Sequence, residues 1–333
     1  MSAPIPALAL ATVLIACGSN ATAPDAPTDA AAPSCTPGTP WASAPTLARG
    51  PTQETAVVAV GTDVYVLGGF DEDAADLDAV QVFDTAACAW RVGPPLPVAL
   101  HHANAAVIDG TIYVAGALQG LGFTAIGGTW ALTPGVDAAW RPRASLPAGT
   151  ERGGGATGVV GGTLVVAGGL RGGAVAEVTS YDPATDAWTI EAPLPAARDH
   201  GCGAVVEGAL YVIGGRQASI GSTEGTVYAW QPGAGWSTHA AMPTPRGGTA
   251  CGVVGGEIIV VGGEGNPALA SGVFAEVEAY APATDTWRTL APMPSPRHGM
   301  GAVGIDGALY VPGGADRQGL AAVATHEVLT PGP

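Results

Sequence analysis

Residues 163–188 read TLVVAGGLRGGAVAEVTSYDPATDAW, and three features of this stretch return along the chain. An apolar run closes on a glycine pair, Gly168-Gly169. A second short run carries an aromatic and a turn, Val178-Thr179-Ser180-Tyr181-Asp182-Pro183, and Trp188 follows it. The pair recurs as Gly68-Gly69, Gly214-Gly215, Gly262-Gly263 and Gly313-Gly314, with Gly116-Ala117 in the remaining place. Trp recurs as Trp41, Trp90, Trp140, Trp188, Trp236 and Trp287, at separations of 48 to 51 residues. A fixed period of this length marks an architecture in which each unit buries its faces against its neighbours. Each unit reads as four short β-strands: a, small and apolar, as in Ala56 to Val60 or Gly203 to Val206; b, closing on the glycine pair; c, carrying the aromatic; and d, carrying the Trp. Four-stranded units near 50 residues match propeller blades.

The combination of Gly-Gly after strand b, Tyr-Asp-Pro after strand c and Trp in strand d resembles the kelch repeat, and it extends over residues 39 to 331. The resemblance implies an all-β, six-bladed propeller. Trp41 has no glycine pair before it, and the pair Gly313-Gly314 is followed by a strand-c candidate, Val323 to Leu329, with no Trp after it. The strand around Trp41 is therefore expected to serve as strand d of the sixth blade, closing the ring and removing its free edges. No gap between landmarks exceeds 52 residues, which leaves no room for a seventh blade.

Ahead of the repeats, residues 1–16 read as a signal peptide with an apolar run from Ala7 to Ala16. Leu14-Ile15-Ala16-Cys17 resembles the bacterial lipobox, which implies cleavage before Cys17 and lipidation of its thiol. Met1-Ser2-Ala3-Pro4 lacks the Lys or Arg of such a segment, pointing to a start codon upstream. Residues 17–38, rich in Ala, Pro, Thr, Ser and Asp, read as a flexible tether, and residues 39–333 as the propeller. Beyond the first 17 residues no apolar run reaches the roughly 18 residues of a membrane span. The only membrane association expected is through the lipid.

Gly and Pro, at 51 and 29, make up about a quarter of the 333 residues, and their periodicity separates this chain from low-complexity sequence. A formal net charge of −16 argues against nucleic acid as a partner. All 12 basic residues are Arg, which excludes lysine Schiff-base chemistry and the P-loop lysine.

In an up-and-down blade the d-to-a and b-to-c connections share one face. Sixteen residues before the glycine pair stand Arg152, Arg198, Arg246 and Arg297 in blades three to six, with Thr52 and Leu100 in blades one and two. Arg171, Arg216 and Arg317 follow the pairs, and Arg49 precedes the first strand a, so 8 of the 12 arginines fall on this face. One expectation is an electropositive mouth gripping an anion through guanidinium forks. The other is that the arginines pair with nearby acids such as Glu151, Asp199, Glu224 or Glu264. His102 and His200 share an offset of 14 residues from the pair and join the expected ligand-binding set; His298 sits at 15, so its side chain is expected to point elsewhere and no metal tripod is expected. The acidic run Asp71-Glu72-Asp73-Ala74-Ala75-Asp76-Leu77-Asp78 reads as a solvated loop, lacking the glycine and closing Glu of an EF-hand.

Five cysteines fit an exported protein. With Cys17 assigned to lipid, Cys35 and Cys88 are the favoured disulfide, since each precedes a strand-d Trp. Cys202 and Cys251 lie in strand a of adjacent blades with opposite parity, facing either toward or away from one another, and are expected as buried thiols.

The expected function is a non-catalytic, lipid-anchored binding module of the bacterial cell envelope, a monomer without cofactor, presenting the arginine face to an anionic protein or carbohydrate. The alternative comes from the resemblance to the six-bladed kelch sugar epimerase acting on sialic acid, which would use Arg198, Arg246 and Glu224 to hold a carboxylate and move protons. Kelch-type copper oxidases resembling galactose oxidase would need a Cys cross-linked to a copper-ligating Tyr together with paired His, and the sequence has no such constellation.

Overall fold

A computed structural model describes Met1 and residues 40–332; Cys17, Cys35, the signal segment beyond Met1 and the whole of the tether lie outside the described residues. The described residues hold 24 strands in six four-stranded antiparallel sheets. Five sheets are continuous in sequence. The sixth combines Val303–Ile305, Ala308–Pro312 and His326–Leu329 with Trp41–Ser43 from the other end of the chain, Trp41 pairing with Leu329 and Ser43 with Glu327. The ring is thus closed by β-pairing, as expected from the unmatched first Trp.

Six hydrophobic clusters hold the ring together, one at each blade interface. Tyr65 and Leu67 face Ile112 and Val114 of the second blade, whereas Val64, from the same strand, packs with Tyr310 and Val328 of the sixth. Alternate side chains of one strand therefore enter different cores, which is why strand b is a continuous apolar run after its first residue although the sheet is antiparallel. The strand-d tryptophans add a polar tie. Each indole Nε1 donates to a carbonyl at the end of the preceding blade, from Trp90 to Pro45 at 2.8 Å through Trp287 to Ala240 at 2.9 Å. Trp41 to Ala291 at 3.1 Å completes the circuit across the closure.

Strand a is innermost, and small residues there let six strands converge. A Cβ on Gly203 would lie 2.5 Å from the backbone nitrogen of Thr157 in the neighbouring blade. The strands line a channel of about 460 Å³, with small side chains such as Val58, Ala105, Gly158 and Val253 and the hydroxyl residues Thr55, Thr157 and Thr249 on its wall. At its mouth the glycine pair turns the chain: Gly69 has φ of 105°, and a Cβ would sit 2.4 Å from the Gln53 carbonyl.

The cysteine expectation needs correction. Cys202 and Cys251 are bonded to one another, their Cα atoms 5.8 Å apart. Opposite parity on neighbouring innermost strands directs one side chain forward and the other back around the ring, so the two sulfurs meet between blades. Cys88 is also disulfide-bonded.

Candidate functional site

At the channel mouth, six residues occupy the position 14 before each glycine pair: Glu54, His102, Gly154, His200, Gly248 and Gly299. All six have left-handed φ, between 51° and 64°. This conformation turns each amide toward the carbonyl of its equivalent in the preceding blade. The bonds His102 to Glu54, Gly154 to His102, His200 to Gly154, Gly248 to His200, Gly299 to Gly248 and Glu54 to Gly299 form a closed annulus of 2.5 to 3.0 Å. Glycine takes this φ at no steric cost, whereas Glu54, His102 and His200 each adopt it at about 1 kcal/mol.

Those three side chains converge over the annulus. His102 Nε2 lies 2.8 Å from His200 Nε2 and 3.0 Å from Glu54 Oε2. His200 Nδ1 lies 2.6 Å from Asp199 Oδ1, and Arg216 spans Asp199 at 2.8 Å, Glu264 at 2.6 Å and His200 Nε2 at 2.9 Å. His101 Nδ1 lies 2.5 Å from His102 Nδ1, and Phe70 stacks on the His101 ring. His298 Nδ1 approaches Glu54 at 3.6 Å and Glu264 at 3.7 Å. Burial would raise the Glu54 carboxyl, but the adjoining His102 holds it well below the usual carboxylate range. Asp199 is likewise lowered against burial, by His200 and Arg216. Burial pushes His101 down to about 4, with His102 acting in the same direction, and lowers His200, aided by the Arg216 charge.

The structure brings together only part of the expected site. His102 and His200 meet, as their shared offset implies. His298, set aside on parity, nevertheless reaches Glu54 from the opposite side. Glu54 went unrecognised in the sequence, although its offset of 14 was the available signal.

The arginine register has a different meaning from the ligand grip expected of it. Arg152, Arg246 and Arg297 are fully buried beneath the glycine pairs. Each donates through Nε to the carbonyl of the first glycine, Gly168, Gly262 or Gly313, at 2.7 to 2.8 Å. Arg246 also meets Glu278 at 2.5 Å and Arg297 meets Glu327 at 2.6 Å, whereas Arg152 has Thr179 at 3.0 Å. Burial lowers Arg152, which has no such acid, to about 10. These guanidiniums satisfy carbonyls that the tight turn would otherwise leave unpaired. Arg198 is 3% exposed, lies over the Tyr228 ring and stands 3.6 Å from Glu224. The epimerase candidates Arg198, Arg246 and Glu224 therefore do not line a common pocket, since Arg246 is sealed in its own blade. Arg171 pairs with Glu177 and Arg317 with Asp316, so the electropositive mouth is largely neutralised. Of the expected ligand-binding arginines, Arg171 and Arg317 are the ones that reach solvent substantially, at 32% and 69% side-chain exposure.

A family model described as the KLHDC2/KLHL20/DRC7 Kelch-repeats domain matches residues 39–215, and one described as Kelch motif matches residues 245–294. The chain is 35% identical over 312 residues to Kelch-like protein terF of Aspergillus terreus, covering 87% of this chain and 66% of that one. It is 26% identical over 268 residues to Kelch-like protein 25 of Xenopus tropicalis, covering 79% and 37%. It thus spans just under two thirds of the first relative and little over a third of the second. Among solved structures, that of YjhT superposes with a TM-score of 0.70 at 17% identity, covering 85% of this chain and 95% of that one, a likeness of fold. With six blades, a closing strand and matches across both halves of the ring, the chain belongs to the kelch-repeat family.

Proposed function

We propose that the chain is a non-catalytic interaction module of the bacterial envelope that receives an acidic partner protein on the face formed by the d-to-a and b-to-c connections. The observation that carries this reading is the rim. Leu121, Leu269 and Leu320, on three different b-to-c loops, are 62%, 51% and 50% exposed, and Arg171 and Arg317 stand on loops of the same face. Exposed aliphatic side chains beside arginines that would exchange Glu177 and Asp316 for acids of the incoming chain suit a protein surface carrying carboxylates better than a sugar. An acidic peptide is expected to bind the wild type, to weaken as salt rises from 0.05 to 0.5 M, and to bind at least tenfold more weakly to Arg171→Ala/Arg317→Ala. Salt-insensitive binding, or equal binding by the double variant, would remove the anionic part of the reading. Interconversion of sialic acid anomers by the wild type, followed by NMR, would establish the enzymatic alternative instead.

The same reading places the chain outside the cytoplasm, anchored at Cys17. Disulfide bonding of Cys202, Cys251 and Cys88 supports an oxidising compartment. Cys17→Ser is expected to release the protein from the membrane fraction or leave an uncut precursor. Unchanged processing and membrane association in that variant would contradict the anchor.

A further inference from the structure

We propose that Glu54, His102 and His200 form a binding site for one divalent transition-metal ion on the propeller axis. Donor and acceptor identities around these side chains lead to it. His200 Nδ1 faces the Asp199 carboxylate, which only accepts, and Nε2 faces the Arg216 guanidinium, which only donates. The hydrogen therefore resides on Nδ1, and Nε2 presents a lone pair. His101 Nε2 faces the Gly120 carbonyl at 3.2 Å and Asp76 at 3.9 Å, both acceptors, so it carries the hydrogen. Its Nδ1 then accepts from His102 Nδ1, and the neutral His102 ring presents a lone pair on Nε2 as well. With Glu54, three lone-pair atoms lie within 4.8 Å of one another. They repel unless a positive charge, a metal ion or a proton on His102 Nε2, lies among them.

Two further features of the surroundings bear on the site. His298 is 1% exposed, and its Nδ1 has no hydrogen-bond partner although it faces Glu54 and Glu264; its Nε2 is 2.9 Å from the Arg317 carbonyl and so carries the hydrogen. Both of its nitrogens thus face acceptors, Nδ1 beside the carboxylate of the trio. Among the fixed charges, Glu54, Asp199 and Glu264 gather around one guanidinium, that of Arg216, so a bound cation would meet a net negative site.

The surroundings suit a metal. The His200 Nδ1–H is directed at a carboxylate and the His102 Nδ1–H at another imidazole, the outer contacts that orient ligating histidines. Two imidazoles and one carboxylate select zinc or another first-row ion over calcium or magnesium. Cavities of about 110 Å³ on the channel side and about 100 Å³ beneath Phe123, Ile220 and Leu320 leave room for further ligands. Zn–N bonds of about 2.0–2.1 Å set tetrahedral ligand nitrogens roughly 3.3 Å apart, so the two rings need part by only about half an ångström. Arg216 would give up its His200 contact and keep both carboxylates.

The test is titration of the chelator-treated full chain with Zn²⁺, and with Co²⁺ read by its visible absorption. One equivalent is expected to bind. His200→Ala and His102→Ala are expected to weaken binding at least 100-fold, and Asp199→Asn 10- to 100-fold. Glu54→Gln, which keeps the side-chain shape, guards against variants that fail to fold: zinc should raise the melting temperature of the wild type but not of this variant. A wild type that takes up neither ion, as expected if a proton on His102 fills the gap, overturns the proposal. So does binding that survives unchanged in Glu54→Gln and in His102→Ala/His200→Ala.

Discussion

Arg246→Ala is expected to destabilise the propeller by about 3–5 kcal/mol, the range for leaving one member of a buried ion pair behind. The side chain is fully buried, and its guanidinium donates to the carbonyls of Gly262 at 2.7 Å and Thr244 at 2.8 Å as well as to Glu278 at 2.5 Å. Truncation leaves the Glu278 carboxylate with Thr244 Oγ1 as its remaining side-chain donor and opens a cavity below the glycine turn. The melting temperature should fall by roughly 5–10 °C. Arg152→Ala provides the internal comparison. It removes the same carbonyl contacts but strands no carboxylate, since Thr179 occupies the place of Glu278, so its loss should be smaller. Glu278→Ala should in turn couple to Arg246→Ala in a double-mutant cycle, with the double variant less damaged than the sum of the two. If Arg246→Ala melts with the wild type and loses affinity for acidic peptide, the guanidinium serves a ligand and not the turn.

The ring was legible in the sequence because its signals are periodic and local. Glycine pairs, strand-c aromatics and strand-d tryptophans each recur once per blade, and the unpaired Trp41 at one end matches the missing strand at the other. The site was less legible. Four arginines in one register were visible, but whether a guanidinium points into solvent or curls under its own glycine turn depends on three strands brought together by the fold. The acids that answer them, Glu278 and Glu327, lie in strand c, some 30 residues downstream and not in the adjacent loops. Residue type also misled. His102 and His200 were noticed because histidine is rare in this chain, whereas Glu54, at the same offset in the first blade, went unseen among 28 acids. Position within the repeat carried that information. The identities of three non-glycine residues at a position of obligatory positive φ would have pointed to the same six residues.

Replacing Cys202 and Cys251 together with Ala is expected to lower stability by about 2–4 kcal/mol. Their separation of 49 residues is long enough that chain-entropy accounting assigns the cross-link about 4 kcal/mol, and engineered and native bridges usually deliver somewhat less. Its placement makes that contribution structural as well as entropic. The two cysteines sit on the innermost strands of the fourth and fifth blades, which belong to separate sheets and pack through side chains such as Tyr211, Ile258 and Tyr280. The disulfide is thus a covalent tie across an interface otherwise held by apolar contact, by the Gly248 to His200 bond and the Arg216–Glu264 ion pair at the mouth, and by the Trp287 to Ala240 bond at the outer edge. Denaturant unfolding of the double variant should shift its midpoint with little change in native signal, and wild type fully reduced before unfolding should melt beside it. Alkylation of denatured, unreduced protein should leave Cys202 and Cys251 unlabelled when the chain has been exported. The same chain made in a reducing cytoplasm should label at both positions and unfold with the variant. Labelling of both cysteines in exported protein would show that the bridge does not form, and the fourth and fifth blades would then be joined by noncovalent contacts alone.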